Sequence, residues 1–169
     1  MIICVVGKNK SGKSKVAEWI QEYTKFPLVE VSTLVKKFAN SNVRKDLQLE
    51  KNKHQDDPDW LFREIRKEIH TDNCIVSGIR ELSILEKLQQ AFKEVVVIAA
   101  IVDDEVREER GSIIAEKVEE FIEDEKRDQE LFDLDVLIAK AEATIDTSAE
   151  AEDTKAGIVI LLRDFFKIG

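Results

Sequence analysis

Eight residues near the amino end, Gly7-Lys8-Asn9-Lys10-Ser11-Gly12-Lys13-Ser14, combine the types and spacing that binding of phosphates requires. The string follows G-x-x-x-x-G-K-[ST]. Glycines at its first and sixth positions let the backbone curl so that successive N–H groups turn inward toward anionic oxygens. A helix starting near Lys13 adds the positive end of its dipole at the same spot. Lys13 is placed to neutralise β- and γ-phosphates, and the Ser14 hydroxyl is the expected Mg²⁺ ligand. All eight residues, Gly7 to Ser14, are therefore the expected cradle of ATP.

Other polar residues fall where a second ligand would sit. Arg80 follows Gly78 just past an apolar run, and open α/β sheets bind ligands outside the carboxyl ends of their strands. Arg107 and Arg110 are three apart, so the spacing puts both on one helix face. Asp103 ends the longest apolar run and reads first as a strand-end cap, while Arg44 is a further cation without a motif. Trp19 and Trp60 read as core aromatics rather than base-stacking platforms. Cys4 and Cys74 sit inside apolar runs and are expected to be reduced, buried strand residues of a cytoplasmic protein. His54 and His70 lack ligand spacing to either cysteine, so no zinc site is expected.

Apolar runs alternating with helix-period segments supply the frame. Strands are expected at Ile2–Val6, Leu28–Val31, Cys74–Val76, Val95–Val102 and Thr144–Asp146. Helices are expected over Ser14–Tyr23, Thr33–Ala39, from Asp57-Pro58 through Leu61, Ile65 and Ile69, over Glu81–Phe92, and over Ala151–Ile168. A charged helical stretch covers roughly 104–140, broken near Gly111 and near Phe132–Asp133; its acidic part, Glu116–Glu130, reads as a solvated face. Ser41–Gln55 is polar and weakly patterned. The alternation implies an α/β three-layer fold, helices on both faces of a mainly parallel five-stranded sheet, in one domain spanning 1–169.

Of 169 residues, 43% are hydrophobic and 36% charged, which excludes a disordered chain. The net charge of −9 disfavours a general nucleic-acid binder, since no basic surplus replaces the counterions of a phosphate backbone. No apolar run approaches the ~20 residues of a membrane span. A GTPase is poorly supported: D-x-x-G is absent, and Asn52-Lys53-His54-Gln55 is the nearest approach to N-K-x-D.

With the motif in this frame, the chain resembles the P-loop nucleoside and deoxynucleoside monophosphate kinase group, in particular its small adenylate-kinase-related and dephospho-CoA-kinase-like members. Beyond the loop, Val29-Glu30-Val31-Ser32-Thr33-Leu34-Val35-Lys36 resembles the group's second strand and acceptor-site helix, and Val76-Ser77-Gly78-Ile79-Arg80 resembles the end of its third strand. Val97–Val102 with Asp103, Arg107 and Arg110 is similar to the fourth strand and the start of an arginine-bearing lid. Arg127-Asp128-Gln129-Glu130-Leu131 and Ala143-Thr144-Ile145-Asp146 are similar to the later lid helix and last strand.

The resemblance implies a P-loop NTPase fold with a lid over about 104–140, and transfer of the γ-phosphoryl of ATP, with Mg²⁺, to a small nucleotide-like acceptor. It implies Lys13, Arg80, Arg107 and Arg110 as catalytic residues, and Ser32, Lys36, Gly78 and Arg80 as the acceptor site. Three positions depart from the pattern: Ser77 stands where the group often has an acid, and Thr33 and Lys36 stand where it has Asp and Arg. These departures keep a second reading open, a regulatory protein that binds nucleotide without phosphorylating anything, beside a kinase of dephospho-CoA type.

Overall fold

In a computed structural model the described residues are 1–40, 54, 56–114 and 118–168. Five strands, β1 (Ile2–Val6), β2 (Leu28–Glu30), β3 (Cys74–Ser77), β4 (Val95–Ile101) and β5 (Ala143–Asp146), form one sheet in the order β2-β3-β1-β4-β5. Every pairing is parallel, so the sheet is wholly rather than mainly parallel. Ile2 stands between Cys74 and Val95, and Val5 is in register with Ser77 on one side and Ile98 on the other. The strand that leads into the phosphate loop is thus the centre of the sheet.

Helices cover both faces, as parallel strands require. They are α1 (Lys13–Thr24), α2 (Val31–Ala39), α3 (Trp60–Glu68), α4 (Leu82–Ala91), α5 (Asp104–Ile114), α6 (Val118–Leu131), α7 (Leu134–Ala139) and α8 (Ala151–Ile160). The period-2 alternation of β1 divides its side chains between two cores. Ile3 and Val5 join Val16, Ala17 and Ile20 of α1 and Ile158 of α8. Ile2, Cys4 and Val6 face the other way, against Leu34, Leu61, Ile65, Leu85, Leu88 and Leu137. Both cysteines are free and buried, and Trp60 lies in the second core with Phe38 edge-on and His54 stacked on its ring.

Several boundaries differ from the sequence reading. β2 ends at Glu30 and Val31 already opens α2, where its side chain packs into the core. Asp57 does not cap a helix starting at Pro58: its carboxylate takes both terminal nitrogens of the Arg63 guanidinium, and α3 begins at Trp60. Gly111 does not break the charged stretch, since α5 runs through it to Ile114, whereas the break at Phe132–Asp133 is present. The closing helix ends at Ile160 and continues as a π-helical turn, Leu161–Phe165. Arg44 and most of Ser41–Gln55 lie outside the described residues, as do the side chains of Glu116 and Glu120. Among the described residues no helix is long and apolar enough to cross a membrane.

Candidate functional site

The loop from Gly7 to Gly12 leaves the carboxyl end of β1 and turns directly into α1. Both glycines have positive φ, +155° and +79°. Packing demands glycine as strongly as the dihedrals do. A Cβ on Gly7 would fall 2.5 Å from Ser11 Oγ and 2.6 Å from the Ala100 carbonyl oxygen, and one on Gly12 would meet Thr147 Oγ1 at 3.2 Å. The curl is closed by the Ser11 N–H donating to the Lys8 carbonyl at 3.2 Å. Lys13 bends back over it, Nζ donating to the same carbonyl oxygen at 3.3 Å. No side chain caps α1, and Ser14 is exposed in its first turn.

A residue without a sequence signal braces this loop. Thr147, just past β5, donates from Oγ1 to the Ser11 carbonyl at 2.9 Å. Its own N–H donates to the Ile101 carbonyl, at the end of β4. Arg110 reaches the same threonine, Nη1 to Oγ1 at 3.1 Å and Nη2 to the Thr147 carbonyl at 2.6 Å. The ends of β4 and β5, helix α5 and the phosphate loop therefore meet through one hydroxyl.

Arg107 and Arg110 were expected on one face with one task; their guanidinium groups diverge. Arg107 is nearly buried and pairs with Asp104 at 3.0 Å and with Glu125 of α6. Burial pulls its pKa down, but hydrogen bonds to Glu125 and Asp104 more than offset this and hold it above the ordinary arginine value. Arg80 is held by Asp128, whose two oxygens each lie 2.9 Å from Nη1, and its guanidinium carbon stands 5.1 Å over the Phe132 ring. The chain around it is fixed too: Asp133 N–H donates to the Arg80 carbonyl, and Leu82 N–H donates to the Asp133 carboxylate. Lys8 pairs with Asp135 of α7 at 3.3 Å.

The remaining expected residues lie near the carboxyl ends of β2 and β3. Gly78 has φ +87°, and among the described residues only Val31 Cβ, at 3.9 Å, stands near its missing side chain. Ser32 and Lys36 are exposed on α2, and Ser32 Oγ donates to Glu30 at 3.4 Å. Ser77 is fully buried, and its hydroxyl has no hydrogen-bond partner among the described residues. Asp103 is tied to the strand end, its N–H donating to Ser148 Oγ at 3.0 Å. The arrangement thus brings Lys8, Lys13, Arg80, Arg107 and Arg110 to one end of the sheet. It also brings Thr147, Glu125, Asp128 and Asp135, which the sequence reading did not select for the site.

No family model matches the chain, and no curated protein does. Solved structures do. A shikimate kinase from Aquifex aeolicus vf5 is 18% identical with a TM-score of 0.63, each chain being covered over 100% of its length. A shikimate kinase from Acinetobacter baumannii, in complex with shikimate, is 16% identical with a TM-score of 0.65, over 95% of this chain and 92% of that one. A gluconokinase from Sinorhizobium meliloti 1021 is 18% identical with a TM-score of 0.56, over 98% and 95%. The chain has the fold of small P-loop kinases, as its sheet order and loop geometry already indicate.

Proposed function

We propose that the protein is an ATP-dependent phosphotransferase: it holds the triphosphate of Mg·ATP in the Gly7–Ser14 loop and transfers the γ-phosphoryl to a small nucleotide-like acceptor. The observation that carries this reading is the loop itself, a curled backbone between two obligatory glycines that feeds an uncapped helix start, with Lys13 folded over it. That is a receptor for a run of phosphate oxygens and for little else. The fold shared with kinases for shikimate and gluconate supports phosphoryl transfer as the activity, without naming the acceptor.

The donor set also fits the divalent ion that accompanies ATP. Ser14 Oγ is exposed beside Lys13 and would hold the ion together with the ligand's own oxygens. Among the described residues no group of three or more His, Cys, Asp or Glu side chains stands together as a metal site. When bound, the ion supplies neutralisation of phosphate charge. The chain's own contribution is positioning: Lys13 steadies the donor, Arg110 braces the loop through Thr147, Arg107 would meet the transferring phosphate, and Arg80 would hold the acceptor. A loose phosphoryl-transfer transition state asks for such placement more than for a covalent partner. A (deoxy)nucleoside monophosphate is the acceptor that suits Arg80 best, because its phosphate is already ionised at neutral pH and needs no general base.

Ser77, standing where an acid would end β3, favours a second reading, a nucleotide-binding regulator, since it leaves no carboxylate at that strand end. A panel of (deoxy)nucleoside monophosphates and dephospho-CoA, each incubated with Mg·ATP while ADP release is followed, separates the two. Turnover on at least one acceptor is expected. Tight ATP binding with turnover on none would establish the regulator instead.

A further inference from the structure

Three cations ring the phosphate loop, and each is met by a carboxylate from one short stretch of chain. Glu125 takes Arg107, Asp128 takes Arg80, and Asp135 takes Lys8. Glu125 and Asp128 are three residues apart on α6 and so share a face. The two arginines they reach come from different elements, α5 and the turn between β3 and α4. One face of one helix therefore bridges the two arginines best placed to grip phosphates. The carboxylates are well sequestered, with Asp128 only 5% and Glu125 16% exposed.

There is also room for a ligand beside them. A cavity of about 230 Å³ is lined by Lys8, Glu125, Asp128, Phe132 and Asp135 among others. A second, also about 230 Å³, is lined by Lys8, Ser11, Asp104, Arg107 and Asp135 among others. The two share Lys8 and Asp135. Ser11, on the wall of the second, is 1% exposed and its hydroxyl has no hydrogen-bond partner among the described residues.

A carboxylate and a phosphate offer a guanidinium the same thing, anionic oxygens in a plane it can match. We propose that α6 is a strap displaced by anions: Glu125 and Asp128 fill the arginine seats of the empty site, and the phosphate groups of bound ligands take their place. This rests on the reading of the loop as a phosphoryl-donor site, and it narrows the acceptor class. The acceptor carries a phosphate monoester of its own, which exchanges with Asp128 on Arg80, while the far end of the donor triphosphate exchanges with Glu125 on Arg107. A neutral alcohol cannot make the exchange, because it brings no charge to replace the carboxylate it displaces from a partly buried guanidinium. Simple opening of the strap meets the same penalty, so release of α6 is coupled to arrival of an anion.

Inorganic phosphate, titrated at constant ionic strength, is the probe, with amide hydrogen exchange over residues 118–139 as one readout and phosphate affinity as the other. Phosphate is expected to speed exchange in α6. Asp128→Asn is expected to make α6 exchange fast without phosphate and to bind phosphate about tenfold more tightly, within the reach of one charge-assisted hydrogen bond. Arg80→Met added to Asp128→Asn is expected to abolish that gain. Glu125→Gln tests the same exchange at Arg107 and covers a failure of Asp128→Asn to fold; it is expected to bind ATP about threefold more tightly. Phosphate that leaves α6 exchange unchanged, or variants that gain no anion affinity, would make these pairs fixed staples and overturn the strap. ATP binding by the unmodified protein is measured alongside. If it is retained, a failed strap leaves the donor-site reading standing; if it is absent, the donor-site reading is the one that fails.

Discussion

The two sides of the site are built on different principles. On the donor side, geometry comes from the main chain: two glycines with positive φ, a curl closed by a backbone hydrogen bond, and a helix start with no side-chain cap. On the facing side, geometry comes from pairs of long charged side chains, Arg80 with Asp128, Arg107 with Glu125 and Lys8 with Asp135. A backbone cradle is preorganised and loses nothing when its ligand leaves. A guanidinium left without an anion in a partly buried place is destabilised, so the facing side must carry its own counter-ions. Rigidity in the first region and exchangeable pairing in the second follow from that difference.

The sharpest way to break the contrast is Lys13→Ala. Lys13 folds over the phosphate loop through its bond to the Lys8 carbonyl, and its removal leaves no core cavity. ATP affinity is expected to fall about a hundredfold, the scale of one lost charge-assisted contact of ~3 kcal/mol, with turnover abolished and the fold intact. Calorimetric titration with Mg·ATP, beside a thermal melt, measures both. An unchanged affinity would take the donor site away from this loop.

A smaller effect probes the junction between the two regions. Thr147→Val keeps the shape but removes the hydroxyl that donates to Ser11 and accepts from Arg110. The two groups left without it are expected to cost about 1–2 kcal/mol, read from urea unfolding midpoints. The loop would also lose its brace, so ATP affinity should fall together with stability. If stability alone changes, Thr147 supports the fold and not the cradle.

The smallest effect concerns the sheet beneath both. Burial pushes the Cys74 thiol up to about 11 from an ordinary 9.0, and it pushes the Cys4 thiol further in the same direction. A raised acid pKa means the folded state favours the neutral thiol, so its contribution is complete below about pH 9 and is lost as pH rises toward 11. Neither thiol should react with a disulfide reagent at pH 8 before unfolding, and denaturation midpoints should begin to fall above about pH 9. A thiol that reacts in the native state would mean that the sheet opens.

The same division decides what the sequence makes legible. The donor loop is legible because every residue it needs is within eight positions, and the local backbone requirement selects their types. The strands are legible because parallel strands buried on both faces read as continuous apolar runs. Boundaries were lost where one residue serves two elements, as Val31 does in ending the approach of β2 and packing from the first turn of α2. The facing side was only half legible. Arg80 and Arg107 stand out by their places after strands, yet Asp128 and Glu125 sit among many acids with nothing local to single them out. Their meaning lies in a pairing across the fold that no spacing rule encodes. Asp57 failed the other way: its position promised a helix cap, and a guanidinium six residues on proved the stronger partner for its carboxylate.

The central place of β1 has a consequence for how the chain reaches this structure. Ile2–Val6 is synthesised well before its neighbours, Cys74–Ser77 and Val95–Ile101. The strand must therefore wait, apolar and unpaired, at least until β3 has left the ribosome, and closing such distant contacts is slow. The run Ile2-Ile3-Cys4-Val5-Val6 carries no charge and is rich in β-branched residues, so it is a segment prone to wrong pairing until its partner strands arrive.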